Sequence, residues 1–251
     1  MPRRTAIRSR GASALAGRAT SPRVNSAAQT SPNTLAKIKS AKAINVAFSG
    51  EPLPFSLADL ECANTTQTQS RLASVDFSNR IFVDGGGFLL KAGSPINSLA
   101  DPGGKRIAVL KGTTTETRLN DTLRRRLINA TVVTIGDGSE GLAMLEAGSV
   151  DAYAGDKIEL IGFAAQAKEP AKLAMLAEDL SFEPYAMALP RNDSALRLEV
   201  NKALTQIYLS GEIETIFARW LGKLGRPSGL LAAMYFLNVI PDWVCQVRTG
   251  E

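Results

Sequence analysis

The chain has 251 residues, 45% hydrophobic and 21% charged, with two cysteines and no histidine. That is globular composition with enough chain for one large or two small cores; it excludes collagen, a disulfide scaffold, a wholly disordered protein, a His-based triad and a four-ligand zinc site, and no cofactor or metal is expected. The formal charge of +5 is uneven: residues 1–50 hold nine Lys or Arg and no acid, while the other 201 carry 20 basic against 24 acidic side chains.

Residues 1–33 form a basic leader rich in Arg, Ser, Ala, Thr and Pro. Such a segment buries too little surface to offset its ordering entropy, so disorder is expected. Arg3-Arg4 suggests a twin-arginine signal, but Ala12 to Ala16 is too short and weak for the apolar core of an export signal, so no convincing signal peptide is read here. An acid-free, Arg- and Ser-rich leader also fits an organelle transit peptide. It has no aromatic before Phe48 and the rest of the chain is mildly acidic, so a nucleic-acid partner is not expected.

Thr34 to Ala41 predicts a helix capped by Ser31 or Asn33, and Ile44 to Phe48 a short strand. Asp59 to Cys62 predicts a second strand, Ile81 to Val83 a third, and Phe88 to Leu90 a fourth behind the run Gly85-Gly86-Gly87. Alternation then sharpens: strand Arg106–Leu110, helix Thr115–Leu127, strand Thr131–Ile135, helix Glu140–Ala147 stopped by Gly148, strand Val150–Ala154 and helix Ile158–Lys168. Strand–helix–strand units of this length imply parallel strands with crossovers on the sheet faces. Leu173–Leu176 and Tyr185–Leu189 are further strands. A helix beginning at Asp193 or Ser194 carries the apolar stripe Leu196, Val200, Ala203, Leu204 and Ile207. Beyond Gly211 the stripe continues through Phe217 and Trp220, expected as core, and Leu230–Leu237 reads as one more helix. The apolar stretch Gly229–Ile240 is shorter than the roughly 20 residues of a membrane span.

Three features carry chemistry. Lys111-Gly112-Thr113-Thr114-Thr115 places a turn and hydroxyls at a helix N-terminus, which suits either an anion site or plain capping by threonine. Asn64-Thr65-Thr66 followed by Arg71 suits carboxylate recognition, or is a polar turn with a solvated arginine. Asp156 lies just past an apolar strand, where it either holds an ammonium group or caps the next helix.

With Ile44-Asn45-Val46, Pro54-Phe55-Ser56, Cys62 to Arg71, Val75 to Ser78, Gly104 to Val109, Leu145 to Ala152 and Val200 through Gly211 to Trp220, these features resemble the bacterial extracellular solute-binding proteins of family 3. Those are periplasmic polar amino-acid binding proteins of ABC importers. The similarity covers about residues 34–242, and Asp59-Leu60-Glu61-Cys62 to Thr66 is most similar to the glutamate/aspartate group. The resemblance implies an α/β, periplasmic binding protein-like fold of two lobes with parallel-rich sheets. Residues 34–90 with 191–242 would form lobe 1, residues 91–190 lobe 2, and residues 243–251 a tail. It implies that Arg71 clamps an α-carboxylate with Thr66, Thr113 and Thr114, that Asp156 pairs with the α-ammonium, and that Phe55 and Asn64 complete the site. It also implies a monomer, periplasmic, with ABC permease subunits as partners, whose lobes close by a hinge.

The chain departs from that pattern. Only Leu57 to Glu61 separate Ser56 from Cys62, where the family places helix, strand and helix, so lobe 1 is expected to be truncated, leaving an open edge and weak or no amino-acid binding. The acidic-ligand group has a basic residue where this chain has Ser49-Gly50, a His near Asp137-Gly138 and an Arg near Gly87-Phe88, which puts glutamate or aspartate specificity in doubt. The group's partner for Cys62 would fall near Met187, so Cys62 and Cys245 are expected free. A cyclohexadienyl dehydratase-like lyase on the same fold, using Asp156 or Glu183 as acid, is the alternative; a receptor's sensing domain would need fused segments that are not visible.

Overall fold

Sixteen consecutive residues, Asp76–Lys91, form the spine of the protein. The computed structural model describes residues 33–48, 58–222 and 225–240; the leader, Phe55 and Cys245 lie outside them. In chain order the elements are α1 (Thr34–Ala41), β1 (Val46–Ala47), β2 (Leu60–Glu61), β3 (Asp76–Lys91), β4 (Arg106–Leu110), α2 (Thr114–Arg125), β5 (Thr131–Ile135), α3 (Gly138–Ala147), β6 (Ala152–Asp156), α4 (Lys157–Gln166), β7 (Leu173–Met175), β8 (Ser181–Leu189), α5 (Ser194–Leu209), α6 (Glu212–Leu221) and α7 (Gly229–Leu237).

The described strands join in one mixed sheet, ordered β1-β2-β8-β3-β6-β4-β5, with β7 also on β3. Pairings β1–β2, β4–β5 and β4–β6 are parallel, and β3 meets β6, β7 and β8 antiparallel. The N-terminal part of β3 lies against β8 and its C-terminal part against β6 and β7. The two strands expected around the glycine run are therefore one. None of Gly85, Gly86 and Gly87 takes a positive φ; each is an extended residue that leaves room for a neighbour. A Cβ on Gly87 would lie 2.7 Å from Lys157 Cε, and one on Gly85 2.8 Å from Asp179 Oδ1. Here glycine signals close approach rather than a turn.

Around the C-terminal half of β3 the sheet is covered on both faces, which explains the near-continuous apolar runs. Phe88, Leu90, Ile107, Val109, Ala152 and Ala154 point to one side, where α2 supplies Leu119 and Leu123. Leu89, Ala108 and Tyr153 point to the other, against Leu145 of α3 and Leu160 of α4. The period-two alternation thus sorts each strand between two cores. Asn33 caps α1 as expected, and Gly148 ends α3 in the left-handed region at φ 74. Strand β6 begins at Ala152, two residues later than expected, which makes Asp156 its last residue. Helix α2 stops at Arg125, and Leu127 turns out at φ 55, almost fully exposed.

The other end of the sheet is thinner. Leu60, Leu189 and Leu196 form a small cluster with Leu35 and Ile38 of α1, and Cys62 and Met187 pack beside it. Among the described residues Cys62 has no disulfide partner. Helix α7 packs Leu231, Met234 and Tyr235 against Phe82 and Val83 of β3, with Phe217 alongside. The expected α5–α6 stripe is buried only in part: Leu196 and Leu204 are inside, Ala203 is exposed, and Trp220, expected in the core, is 75% exposed. Among the described residues, no element covers that face of α6.

Candidate functional site

Three strand ends and one connection bound a cleft of about 610 Å³. From β4–α2 come Lys111 to Thr115, from β5–α3 Asp137, from β6–α4 Asp156 and Glu159, and from the β2–β3 connection Asn64, Thr66 and Arg71. The parallel strands β4, β5 and β6 present their carboxyl ends here, where open α/β sheets place ligands. Asn64, Thr66, Arg71, Thr113, Thr114 and Asp156, chosen from the sequence, all line this cleft, while Phe55 lies outside the described residues.

Thr113 is the helix cap: its Oγ1 accepts from the Glu116 N–H at 3.1 Å and donates to the Leu110 carbonyl at 2.8 Å. The Glu116 carboxylate reaches back to the Gly112 N–H at 2.6 Å. Capping at Thr113 still leaves the N–H groups of Thr114 and Thr115, at the first two helical positions, without a helical acceptor, so the helix tip keeps donors for an anion. Arg71 opens a single 3-10 turn and donates from Nη1 to the Thr66 carbonyl at 2.8 Å; among the described residues no carboxylate pairs with it. A guanidinium held by its own backbone and lacking an acidic partner is available to an anion.

Asp156 occupies the cap position of α4, yet its side chain does not cap. Instead Asp84 Oδ2 accepts from the Ile158 N–H at 3.0 Å. Asp156 accepts from Tyr185 Oη at 2.6 Å, Thr115 Oγ1 at 2.9 Å and Asn64 Nδ2 at 3.3 Å. Burial, with help from the neighbouring Glu183 and Asp84 charges, pushes its pKa above the usual carboxylate range, against the lowering effect of those hydroxyls. A nearby cation would relieve this.

Behind the cleft wall lies Glu183, 1% exposed and opposite Asp84 in the β3–β8 register. Its carboxylate accepts from Thr66 at 2.6 Å, Thr114 at 3.0 Å and Ser181. The two threonines nominated for a ligand carboxylate thus spend their hydroxyl protons on Glu183 in this structure. Glu183 is not among the residues that line the cleft.

Asp84, Tyr153, Glu159 and Tyr185 also belong to the site or its support, and the sequence alone did not single them out. Tyr185 and Asp84 meet through the antiparallel β3–β8 register, which no local pattern encodes. Glu159 had a signal: it falls one helical turn after Asp156.

A mixed sheet with helices on its faces and a polar cleft past its strand ends defines the class of periplasmic binding protein-like folds. The chain belongs to the bacterial extracellular solute-binding proteins, family 3, whose model matches residues 55–223. It is 33% identical over 172 residues to the L-glutamate/L-aspartate-binding protein of Pseudomonas aeruginosa, covering 68% of this chain and 57% of that one. Against the glutamate/aspartate import solute-binding protein of Escherichia coli it is 31% identical over 172 residues, with the same two shares. The similarity to the glutamate/aspartate group expected from Asp59 to Thr66 is therefore found. Among solved structures, an ancestral arginine-binding protein bound to arginine superposes with a TM-score of 0.60 at 30% identity, covering 66% of this chain and 72% of that one. The chain spans 57% of the length of these curated relatives.

Proposed function

We propose that the chain binds the zwitterionic head of an amino acid, as the solute-binding component of an ABC importer in the periplasm. The carrying observation is that an acid-free guanidinium (Arg71), the open helix tip at Thr114–Thr115 and the buried carboxylate Asp156 line one cleft. The first two suit an α-carboxylate and the third an α-ammonium, the two charges every free amino acid presents. The relatives' names, which specify glutamate/aspartate and arginine, support amino acids as the ligand class. In this reading residues 34–90 with 191–242 act as the first lobe and residues 91–190 as the second, permease subunits receive the ligand, and the protein acts as a monomer without catalysis. Affinity is expected to be weak, because only Leu57 to Glu61 stand where the family places helix, strand and helix of the first lobe.

A thermal-shift and calorimetric titration of the full chain with the common L-amino acids, extended to millimolar ligand, tests this. A saturable shift with at least one amino acid, reduced about 100-fold in affinity by Arg71→Gln, is expected, the size of a charge-assisted bidentate contact removed. No shift with any amino acid would overturn the reading.

A further inference from the structure

The cleft holds more negative charge than a zwitterion requires. With Arg71 assigned to the α-carboxylate and Asp156 to the α-ammonium, Asp137 and Glu159 remain on the wall, opposed only by the exposed Lys111. Asp137, an exposed residue, uses Oδ1 to accept from the Ser139 N–H at 2.6 Å and the Ser139 hydroxyl at 2.5 Å. Glu159, half-buried in the first turn of α4, makes no hydrogen bond or ion pair among the described residues. Tyr153 lines the same cleft at 1% exposure, and its hydroxyl has no partner among the described residues. Burial and then the charges of Glu159, Asp137 and Asp156 resist its ionisation, and all three carboxylates line the same cleft. Burial, followed by Asp156 and Asp84, likewise pushes the Glu159 pKa up.

Carboxylates and a phenol hydroxyl that line one cleft wall form an acceptor-rich surface, which a cation with several N–H donors would complete. We propose that the site selects an amino acid whose side chain ends in a cation, a guanidinium or a primary ammonium, read by Glu159 and Asp137 with the Tyr153 hydroxyl as a further acceptor. Both cations carry several N–H donors and no acceptor, matching a wall rich in acceptors. A side-chain carboxylate at the same place would add a fourth negative charge. This inference rests on the amino-acid reading of the cleft.

Calorimetry on the full chain with L-arginine, L-lysine, L-glutamine and L-glutamate tests it. Arginine or lysine should bind at least about tenfold tighter than glutamine, with glutamate weakest, as expected for one additional charge-assisted hydrogen bond. Glu159→Gln should reduce the ratio of cationic to glutamine affinity by about tenfold. Asp137→Asn, which keeps a side-chain oxygen to cap α3, is the second variant and should shift the ratio in the same direction. Glutamine or glutamate binding as tightly as the cationic ligands, or a ratio unmoved in both variants, overturns the inference while leaving the amino-acid site standing. Failure of every amino acid to bind overturns both.

Discussion

In the proposed reading Asp156 couples stability to binding. Its raised pKa means that the folded state holds its proton more tightly than the unfolded chain does. The stabilising contribution of that proton is therefore full below the unfolded pKa and is lost as pH rises through the folded one. Replacing the side chain by Asn removes this dependence. Measured by denaturant unfolding across pH 7 to 4, wild type should gain stability relative to Asp156→Asn as pH falls. At pH 7 the same variant should bind its amino acid at least about tenfold more weakly, since the ammonium loses the carboxylate assigned to it. A stability gap independent of pH would show that Asp156 is not strained by burial. The candidate site itself was legible in part: Arg71, Thr66, Thr114 and Asp156 stand in charged or hydroxyl-rich segments next to breaks in periodicity. Asp84, Tyr185 and the part Glu183 plays as hydroxyl acceptor were not, because these come from strand pairing across about 100 positions of sequence.

At the scale of elements, α3 shows how site and core share atoms. Gly141 sits inside this helix, where alanine would ordinarily add about 1 kcal/mol of helix propensity. A Cβ there, however, would lie 2.7 Å from two ring carbons of Tyr153 and 2.9 Å from Ile135 Cδ1. Forcing a methyl against a rigid, buried ring costs about 1–3 kcal/mol, so overpacking wins. Gly141→Ala should lower stability by about 1 kcal/mol or more in a denaturation midpoint, and ligand affinity should fall with it as Tyr153 shifts. The boundaries of α1, β4 and β5 agree with the residues expected, since caps, β-branched runs and alternation are local signals. Strand β3 was read as two pieces because a triple glycine looks like a break until its neighbours are known.

Over the whole molecule, the sheet is well covered around β4–β6 and thinly covered around β1–β2. Strand β1 is an edge of two residues, and Ile44 and Phe48 beside it are exposed. Trp220 illustrates the consequence. In a core, its truncation to alanine would cost about 3–5 kcal/mol. At 75% exposure, with Arg219 over its ring at 5.7 Å, Trp220→Ala should instead change unfolding free energy by less than about 0.5–1 kcal/mol. A loss of several kcal/mol in urea unfolding would mean that this face is covered in solution.

By itself the sequence determined the α/β alternation around β4, β5 and β6, the capped helices and the residue types that the proposed zwitterion site uses at its two poles. These follow from periodicity and chemistry confined to neighbouring residues. The tertiary structure alone decided that Asp84, rather than Asp156, serves the α4 backbone, that Glu183 takes the hydroxyls of Thr66 and Thr114, and that Trp220 faces water. Each is a competition between partners far apart in the chain, and only the folded register fixes which partner is within reach.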